Sequence, residues 1–260
     1  MTVTDNHTAP HAILLAAGKG TRMRSDLPKV VHKVCGKPMV WWVVRACRDA
    51  GVSRVVVVVG YEGQLVRDAL AGEPGVEFVE QREQLGTGHA AKMASPLFEG
   101  RGDVDVFVLA GDGPLIRGAT LRELLRVHRR DRASATLATA VLPDPTGYGR
   151  VVRDAAGGFH AIVEQKDASP AQLALREVNP SYYCFKAGEL FDTLAQVRND
   201  NKQGEYYLTD VPGLLKARGR TVTVVDAVPP QDVLSINTPE QLAEVEAVLR
   251  SREAAAGAAS

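Results

Sequence analysis

The hydrophobic positions of this chain form short apolar runs that are separated by longer amphipathic segments. The apolar runs predict buried strands at residues 13–17, 55–59, 76–80, 104–109 and 135–142. The segments between them predict helices near residues 38–50, 62–71, 89–97 and 120–130. Because parallel strands need crossover connections, this alternation predicts an α/β fold with a doubly wound sheet.

The pattern changes after residue 142. Residues 149–154 and 159–165 flank the sequence AAGG, which predicts a hairpin, and another strand is expected near 178–185. We therefore expect a small antiparallel β insertion at roughly 143–185 that forms a lid over the sheet.

The rest of the chain returns to mixed elements. Helices are predicted near 187–197 and 208–217, a strand at 221–226, and a last helix with Thr238 at its N-cap and Pro239 at its first position. We expect a single domain over residues 11–250, a flexible N-terminus at 1–10 and a flexible tail at 251–260.

The composition excludes several classes of function. The 260 residues carry 31 basic and 31 acidic side chains, so no net charge favours nucleic acid or an anionic membrane. The start lacks a basic segment followed by an apolar one, and the run 55–59 is too short to span a bilayer. We therefore expect a cytoplasmic protein without nucleic-acid or membrane partners. The three cysteines lack CxxC spacing, which predicts free buried thiols.

A glycine-rich loop follows the first strand. Gly18 and Gly20 are expected to take positive φ and to bring backbone N–H groups close to a ligand. Lys19, Arg22 and Lys29 place three cations around the same turn. This combination favours a phosphate ligand. A tight strand-to-helix connection with solvated cations is the alternative.

Two familiar phosphate motifs do not fit this loop. A Walker A loop requires Gly, four spacer residues and Gly-Lys followed by Ser or Thr, but here the first position is Ile13 and Gly20 follows Lys19. A dinucleotide fingerprint requires a third glycine, where this chain has Met23. The loop is therefore a phosphate candidate of another kind.

A second polar loop follows the strand at 76–80. Gln81 and Gln84 offer amide donors and acceptors beside Gly86 and Thr87, which suits the edge of a flat heterocycle. A polar surface loop is the alternative. Because ligands of open α/β sheets bind outside the carboxyl ends of the strands, we expect this loop to meet the glycine-rich loop.

A carboxylate follows the strand at 104–109. Asp112 is delivered to the same cleft by an apolar strand, and beside phosphates such a group suits Mg²⁺, which takes one or two protein oxygens. Asn237, in the turn before the last helix, is a second candidate ligand. Its spacing alone does not place it beside Asp112, and an ordinary turn residue is the simpler interpretation.

Several ordered blocks of sequence together resemble one family. They are LLAAGKGTRM, DLPKVVHKV, EQLGTGHA, GDGPLI, DPTGYGR, IVEQKDA and NKQGEYYLTDV. They are similar to the sugar-1-phosphate nucleotidyltransferases, and most of all to the uridylyltransferase half of the bifunctional bacterial enzymes that make UDP-N-acetylglucosamine. The resemblance covers about residues 13–249. It implies a Rossmann-like, doubly wound mixed sheet of the GT-A-like, nucleotide-diphospho-sugar transferase type.

The resemblance also implies roles for single residues. Nucleotide-binding positions would be Leu15, Ala16, Ala17, Gly18, Gly20 and Thr21 at the triphosphate, and Gln81, Gly86 and Thr87 at the uracil. Catalytic positions would be Arg22, Lys29 and Asp112, with Asp112 and Asn237 as the magnesium ligands. Sugar-binding positions would be Gly149, Glu164 and Asn179.

The implied reaction is magnesium-dependent transfer of a uridylyl group from UTP to a sugar 1-phosphate, with N-acetylglucosamine 1-phosphate as the leading acceptor. Such a transfer needs positioning and charge neutralisation more than a covalent nucleophile. The alternatives are the same chemistry on another hexose or hexosamine 1-phosphate, a cytidylyltransferase or molybdopterin-type transferase, and a nucleotide-sugar sensor without turnover. The block EQLGTGHA, which resembles a uracil-binding loop, argues against the cytidylyltransferase.

The chain departs from the family pattern at three places. It ends at Ser260 without hexapeptide repeats, so acetyl transfer and the β-helix trimer are not expected. Pro180 and Ser181 follow Asn179 where relatives carry a small pair such as Thr-Gly, and proline removes a backbone donor there. Ala110 and Gly113 replace an aromatic or apolar residue and a branched one. The last two departures bear on the sugar and leave the triphosphate residues unchanged.

Overall fold

The structure is a computed structural model that describes residues 8–20, 25–234, 236 and 238–258. Its strands are β1 His11–Ala16, β2 Lys33–Val34, β3 Lys37–Pro38, β4 Arg54–Val59, β5 Val76–Glu80, β6 Asp105–Ala110, β7 Ala135–Val141, β8 Gly149–Arg153, β9 Phe159–Val163, β10 Glu177–Lys186 and β11 Val222–Asp226. Its α-helices are α1 Met39–Asp49, α2 Gly63–Ala69, α3 Thr87–Lys92, α4 Gly118–Arg130, α5 Pro170–Leu173, α6 Ala187–Leu194, α7 Asp210–Ala217 and α8 Pro239–Ala258. Most of the predicted flexible N-terminus, residues 1–7, lies outside the described residues.

The main sheet has nine strands and a mixed topology. Its principal order is β11-β7-β10-β6-β1-β4-β5, and β8 and β9 extend from β10. The pairs β1 with β4, β1 with β6, β4 with β5 and β7 with β11 are parallel, and β10 runs antiparallel to both β6 and β7. The predicted α/β fold with a doubly wound mixed sheet is therefore confirmed.

Strand β10 has a more central position than its expected place in the insertion at 143–185. It lies inside the main sheet between β6 and β7, and only β8 and β9 form the antiparallel extension. The run Tyr182 to Phe185 explains this position, because all four side chains are buried and need cover on both faces of the sheet.

The side chains of the strands alternate between two apolar layers. One layer joins residues such as Leu14, Val57 and Phe107 to helices α1, α2 and α4. The other joins Ile13 and Val56 to helices α3, α6 and α7. This packing covers both faces of the central strands. Because β1 is parallel to both β4 and β6, the carboxyl ends of these three strands lie at a common edge of the sheet.

A small second sheet supports the last helix. Strands β2 and β3 form a hairpin whose two turn residues, Cys35 and Gly36, have φ of 49° and 78°, as a tight hairpin requires. This hairpin was not predicted. Helix α8 packs against it through Val245 and Leu249, which join Val34 in a third apolar cluster. Helix α8 also continues to Ala258, beyond the expected start of a flexible tail at 251, in keeping with its alanine-rich sequence.

Two predictions from composition can be compared with the structure. All three cysteines are free thiols, as expected, with Cys47 and Cys184 buried and Cys35 partly exposed. Among the helices of the described residues, none combines the length and apolar character that a bilayer crossing requires.

Candidate active site

The loop after β1 packs directly on Lys29. Gly20 has φ of 68°, and a Cβ at this position would lie 2.5 Å from the Cβ of Lys29, so only glycine fits. The same expectation for Gly18 was wrong, because its backbone is outside the left-handed region. The close packing of Gly20 against the Lys29 side chain therefore helps to fix the position of Lys29 in the site.

The two described cations of this turn, Lys29 and Lys19, have different partners. The Nζ of Lys29, which begins a short 3₁₀ helix at Lys29–Val31, donates to Oδ2 of Asp112, just after β6, at 2.6 Å. The Lys19 ammonium instead lies 4.9 Å from the centre of the Tyr61 ring. Arg22 and Thr21 lie outside the described residues, so their predicted roles stay predictions.

The loop that contains Gly86 is clamped against residues 205–208. Tyr206 donates its N–H to the carbonyl of Leu85 at 2.8 Å, and its own carbonyl accepts from the N–H of Gly88 at 2.7 Å. The hydroxyl of Thr87 accepts from the N–H of Leu208 at 3.0 Å. Gly86 has φ of 108°, and a Cβ there would lie 2.6 Å from the Tyr206 carbonyl oxygen. The two segments thus form one wall that requires glycine at its contact.

The amide of Gln81 is held in one orientation. Its Nε2 donates to the carbonyl of Gly86 at 3.1 Å and lies 3.0 Å from Nδ1 of His89. Because an amide nitrogen only donates, Nδ1 of His89 is the acceptor of this contact. These two contacts hold the amide nitrogen of Gln81 and thereby fix the orientation of its side-chain carbonyl oxygen. The sequence alone favours a capping role for His89; its position in the first turn of α3 instead lets it orient Gln81.

The carboxylate of Glu164 contacts Thr209, the residue that follows the segment 205–208. Its Oε1 accepts from the hydroxyl of Thr209 at 3.1 Å. Burial raises the pKa of Glu164 above its ordinary value; the hydrogen bond from Thr209 opposes this rise, and the charges of Asp167, Asp210 and Glu205 add to it. A Cβ on Gly149 would lie 3.7 Å from both oxygens of Glu164, so this glycine leaves the carboxylate accessible.

The structure accommodates two of the departures from the family pattern, Pro180 and Gly113. Pro180 lies in a bulge of β10 and has no partner in the described pairings with β6, β7 or β8, so its missing N–H costs no sheet hydrogen bond. A Cβ on Gly113 would lie 3.1 Å from the Tyr182 hydroxyl oxygen. The Tyr182 side chain therefore occupies the space that a branched residue at 113 would need.

Two cavities lie at this edge of the sheet. The larger cavity, of about 460 Å³, is lined by the predicted residues Leu15, Ala16, Ala17, Gly18, Gly20, Lys29, Gln81, Gly86, Thr87, Asp112 and Glu164. The smaller cavity, of about 390 Å³, is lined by the predicted residues Lys29, Asp112, Gly149, Glu164 and Asn179. Because Lys29, Asp112 and Glu164 line both cavities, the two form one cleft. All the predicted site residues within the described part of the chain therefore lie together.

Sequence reasoning missed some lining residues. Thr209 lines the larger cavity although it was assigned no role, and its place in the block NKQGEYYLTDV was the available sequence signal. Tyr183, expected only in the wall of residues 179–183 beside the sugar, also lines the larger cavity.

The residues of the cleft are compatible with a divalent cation that is shared with phosphates. Asp112 supplies a carboxylate whose side chain is 35% exposed at the cleft, and carboxylate oxygen is a ligand that Mg²⁺ prefers. The described residues contain no group of three or more His, Cys, Asp or Glu that would hold a metal alone. Asn237, the second predicted ligand, lies outside the described residues.

Comparisons with known proteins agree with the fold and the cleft. The profile of the MobA-like NTP transferase domain matches residues 12–209. The chain is 48% identical over 242 residues to the bifunctional protein GlmU of Brevibacillus brevis, and 45% identical over 241 residues to that of Pelobacter propionicus. Each match covers 93% of this chain and 52% of the relative, so the chain spans about half the length of these relatives.

A solved structure shares the architecture at low sequence identity. The crystal structure of UDP-glucose pyrophosphorylase complexed with UDP-glucose matches with a TM-score of 0.76, over 94% of this chain and 100% of that chain, at 17% identity. This likeness concerns the fold. The profile match and the identity to GlmU proteins confirm the predicted membership of the nucleotidyltransferases: the chain belongs to the family of MobA-like NTP transferase domains.

Proposed function

We propose that this protein transfers a uridylyl group from UTP to a sugar 1-phosphate, most specifically N-acetylglucosamine 1-phosphate, and releases pyrophosphate. The observation that carries the proposal is the continuous cleft, in which Lys29, Asp112 and Glu164 line both cavities. A nucleotide and an acceptor bound in the two cavities would meet beside Lys29. The identity to GlmU proteins supports the choice of acceptor.

The larger cavity suits a nucleoside triphosphate. Its wall of Gln81, Gly86 and Thr87 is rigid and offers an oriented amide to the edge of a base. The glycine-rich loop after β1 lies beside it, and Lys29 supplies a cation for phosphate oxygens. We assign uracil to the first part and the triphosphate to the second.

The smaller cavity suits the acceptor. Glu164 presents a carboxylate that accepts hydrogen bonds from sugar hydroxyls, and Gly149 keeps the approach to it open. The acceptor's phosphate oxygen attacks the α-phosphorus of UTP and already carries negative charge, so no general base is required. Lys29 offsets the charge that gathers at the reacting phosphates.

The residues that would hold Mg²⁺ are Asp112 and, by resemblance, Asn237. When bound, the ion would neutralise and align the triphosphate oxygens. Lys29 is bonded to the same carboxylate, so the two cations would share one anionic centre.

The test is pyrophosphate release with Mg²⁺, in which UTP, CTP, dTTP and GTP are each combined with the 1-phosphates of N-acetylglucosamine, glucose and N-acetylgalactosamine. We expect a clear preference for UTP with N-acetylglucosamine 1-phosphate. A preference for UTP with another sugar would revise the acceptor, and a preference for CTP would revise the base. Binding of UTP without release in any combination would indicate a sensor and refute the proposed activity.

Asp112→Asn separates an enzyme from a sensor. We expect turnover with Mg²⁺ to fall about 100-fold or more, because the variant keeps the size of the side chain and removes the charge. Glu123→Gln, at an exposed position of α4, is the matched control and should retain full turnover. Calorimetric titration with a uridine nucleotide should show that Asp112→Asn is folded and still binds it. Unchanged turnover would remove Asp112 from the catalytic residues.

A further inference from the structure

Strand β10 bulges where it passes the cleft. Val178 pairs with Ala140 and Tyr182 with Ala138 of β7, so three residues of β10 lie opposite a single residue of β7. On its other side, β10 pairs with β8 at Asn179 and with β6 from Tyr182 onward. The bulge of Asn179, Pro180 and Ser181 therefore lies at the fork between β6 and β8.

Ser181 has an unusual backbone conformation within this bulge. Its φ is 63°, in the left-handed region, which non-glycine residues rarely adopt and which costs about 1 to 2 kcal/mol per residue. Such conformations persist where the surroundings impose them, and they are found preferentially at functional sites. Two questions follow: which contacts hold Ser181 in this conformation, and what function the conformation serves.

The cause is a hydrogen-bond network inside the strand. Ser181 donates its N–H to Oδ1 of Asn179 at 3.1 Å, and Nδ2 of Asn179 donates to the hydroxyl of Tyr183 at 2.6 Å. Asn179 is 4% exposed and Tyr183 is 1% exposed. The amide of Asn179 is thereby engaged at both ends by its own strand and acts as a brace that holds Ser181 in place.

The position of Ser181 indicates the use. Ser181 lines both the larger and the smaller cavity, whereas Asn179 and Pro180 line the smaller one. It therefore lies at the junction of the two cavities, together with Lys29, Asp112 and Glu164. The Ser181 side chain also forms a hydrogen bond with Tyr183. Of these four side chains it alone is an uncharged hydroxyl, and its remaining donor or acceptor capacity matches a sugar hydroxyl.

We propose that Ser181 is a specificity-determining residue that hydrogen-bonds a ring hydroxyl of the acceptor sugar. This inference rests on the proposed uridylyl transfer. It also gives Asn179 a second role, the positioning of Ser181, in addition to its expected role as a sugar-binding residue. It predicts that the choice among acceptors depends on the Ser181 hydroxyl and that the choice among nucleotides does not.

Two substitutions test this role. Ser181→Ala keeps the Cβ and removes the hydroxyl, and Ser181→Gly also removes the cause of backbone strain. In both variants we expect kcat/KM for the preferred acceptor to fall about fivefold, as for the loss of one neutral hydrogen bond, and the preference over the other sugar 1-phosphates to fall with it. The KM for UTP should change less than about twofold.

Arg132→Gly is the matched control, because Arg132 is exposed, has φ of 48° and lies at the end of α4. It relieves similar backbone strain without touching the cleft, so the acceptor preference should stay that of the unchanged protein.

The outcomes separate the two proposals. An unchanged protein that releases no pyrophosphate with any acceptor overturns the proposed activity and the role of Ser181 together. If the protein is active and Ser181→Ala leaves the acceptor preference unaltered, or lowers activity equally with every acceptor, only the role of Ser181 is overturned.

Discussion

At the scale of single residues, burial gives Glu164 a pH dependence that the reaction should display. Its carboxyl group is ionised only at a higher pH than usual, because burial raises its pKa. The ionised carboxylate accepts hydrogen bonds from sugar hydroxyls more strongly than the protonated form does. As the pH is lowered, Glu164 should therefore become protonated, and acceptor binding should weaken, at a higher pH than the pH at which an exposed glutamate becomes protonated.

This effect is measured as the KM for the acceptor from about pH 8 down to about pH 5. We expect the KM to rise as the pH falls. The phosphate of the acceptor also titrates, near pH 6, and burial raises the pKa of the neighbouring Asp210 to about 6. The comparison is therefore made with Glu164→Gln, which retains both of these titrations and loses only that of residue 164. Identical pH profiles for the two proteins would show that Glu164 does not bind the acceptor in its ionised form.

Gly113 and Tyr182 act as a pair at the same scale. Because a Cβ at 113 would lie 3.1 Å from the Tyr182 hydroxyl oxygen and 3.6 Å from its Cε1, the hydroxyl makes the only contact that is too close among the three nearest described atoms. We expect Gly113→Ala to lower the free energy of unfolding by about 1 kcal/mol, and Tyr182→Phe to recover at least about half of that loss in the double variant. Urea denaturation of the four proteins measures this coupling, and strictly additive effects would contradict it.

At the scale of elements, the wall of the larger cavity depends on the clamp between residues 85–88 and 206–208. Gly86→Ala would push the Tyr206 carbonyl away, since the new Cβ would lie 2.6 Å from it. We expect a loss of about 2 kcal/mol of unfolding free energy and a KM for UTP that rises at least about tenfold, because the base edge loses its oriented amide.

Gly72→Ala is the matched control for this clamp. Gly72 also has a positive φ, of 86°, but no described atom lies within 4 Å of the position that an added Cβ would take. This variant should lose about 1 kcal/mol through backbone strain alone and keep its KM for UTP. Equal kinetic effects of the two substitutions would mean that the clamp does not shape the nucleotide site.

At the scale of the whole molecule, one buried carboxylate ties together elements at the end of the sheet away from the cleft. Asp105, the first residue of β6, accepts from Lys186 of β10 at 2.5 Å and from Arg129 of α4 at 2.7 Å. Burial alone would raise the pKa of Asp105, but the hydrogen bonds from Lys186 and Arg129, together with the nearby ring of His128, outweigh burial and hold it well below its usual range. The ionised form is therefore the one that stabilises the fold.

Asp105→Asn should lower the free energy of unfolding by about 3 kcal/mol near neutral pH, because it removes the buried counter-charge of two partly buried cations, Arg129 and Lys186. Since the folded pKa is depressed, this contribution is complete above the unfolded value of about 4 and is lost as the pH falls towards the folded one. Urea denaturation at several pH values measures it. Asp131→Asn, which breaks a more exposed pair with Arg130, should cost less than about 1 kcal/mol. A difference between wild type and Asp105→Asn that persists unchanged in acid would contradict this account.

The sequence predicted the molecule to the extent that local patterns determine it. The strands followed from apolar runs such as 55–59, and the cleft followed from polar residues placed after those strands. The insertion of β10 between β6 and β7 was not predictable in this way, because strand order depends on packing between distant segments. Nor could spacing show that Lys19 turns towards Tyr61 while Lys29 meets Asp112, since both are cations near the same turn.

The central position of β10 has a consequence for the order in which the protein folds. Strands β1, β4, β5 and β6 pair among themselves and are complete by residue 110. Strand β7 pairs with β10 and β11, both of which are synthesised later. During translation, its buried residues Leu137 and Ala138 must wait for residue 186 before they gain a neighbouring strand. The chain thus assembles first the strands that carry the glycine-rich loop and Asp112. The arrival of β10 then completes the sheet and the wall that we assign to the sugar, and residues 206–208, which follow later still, complete the wall that we assign to the nucleotide.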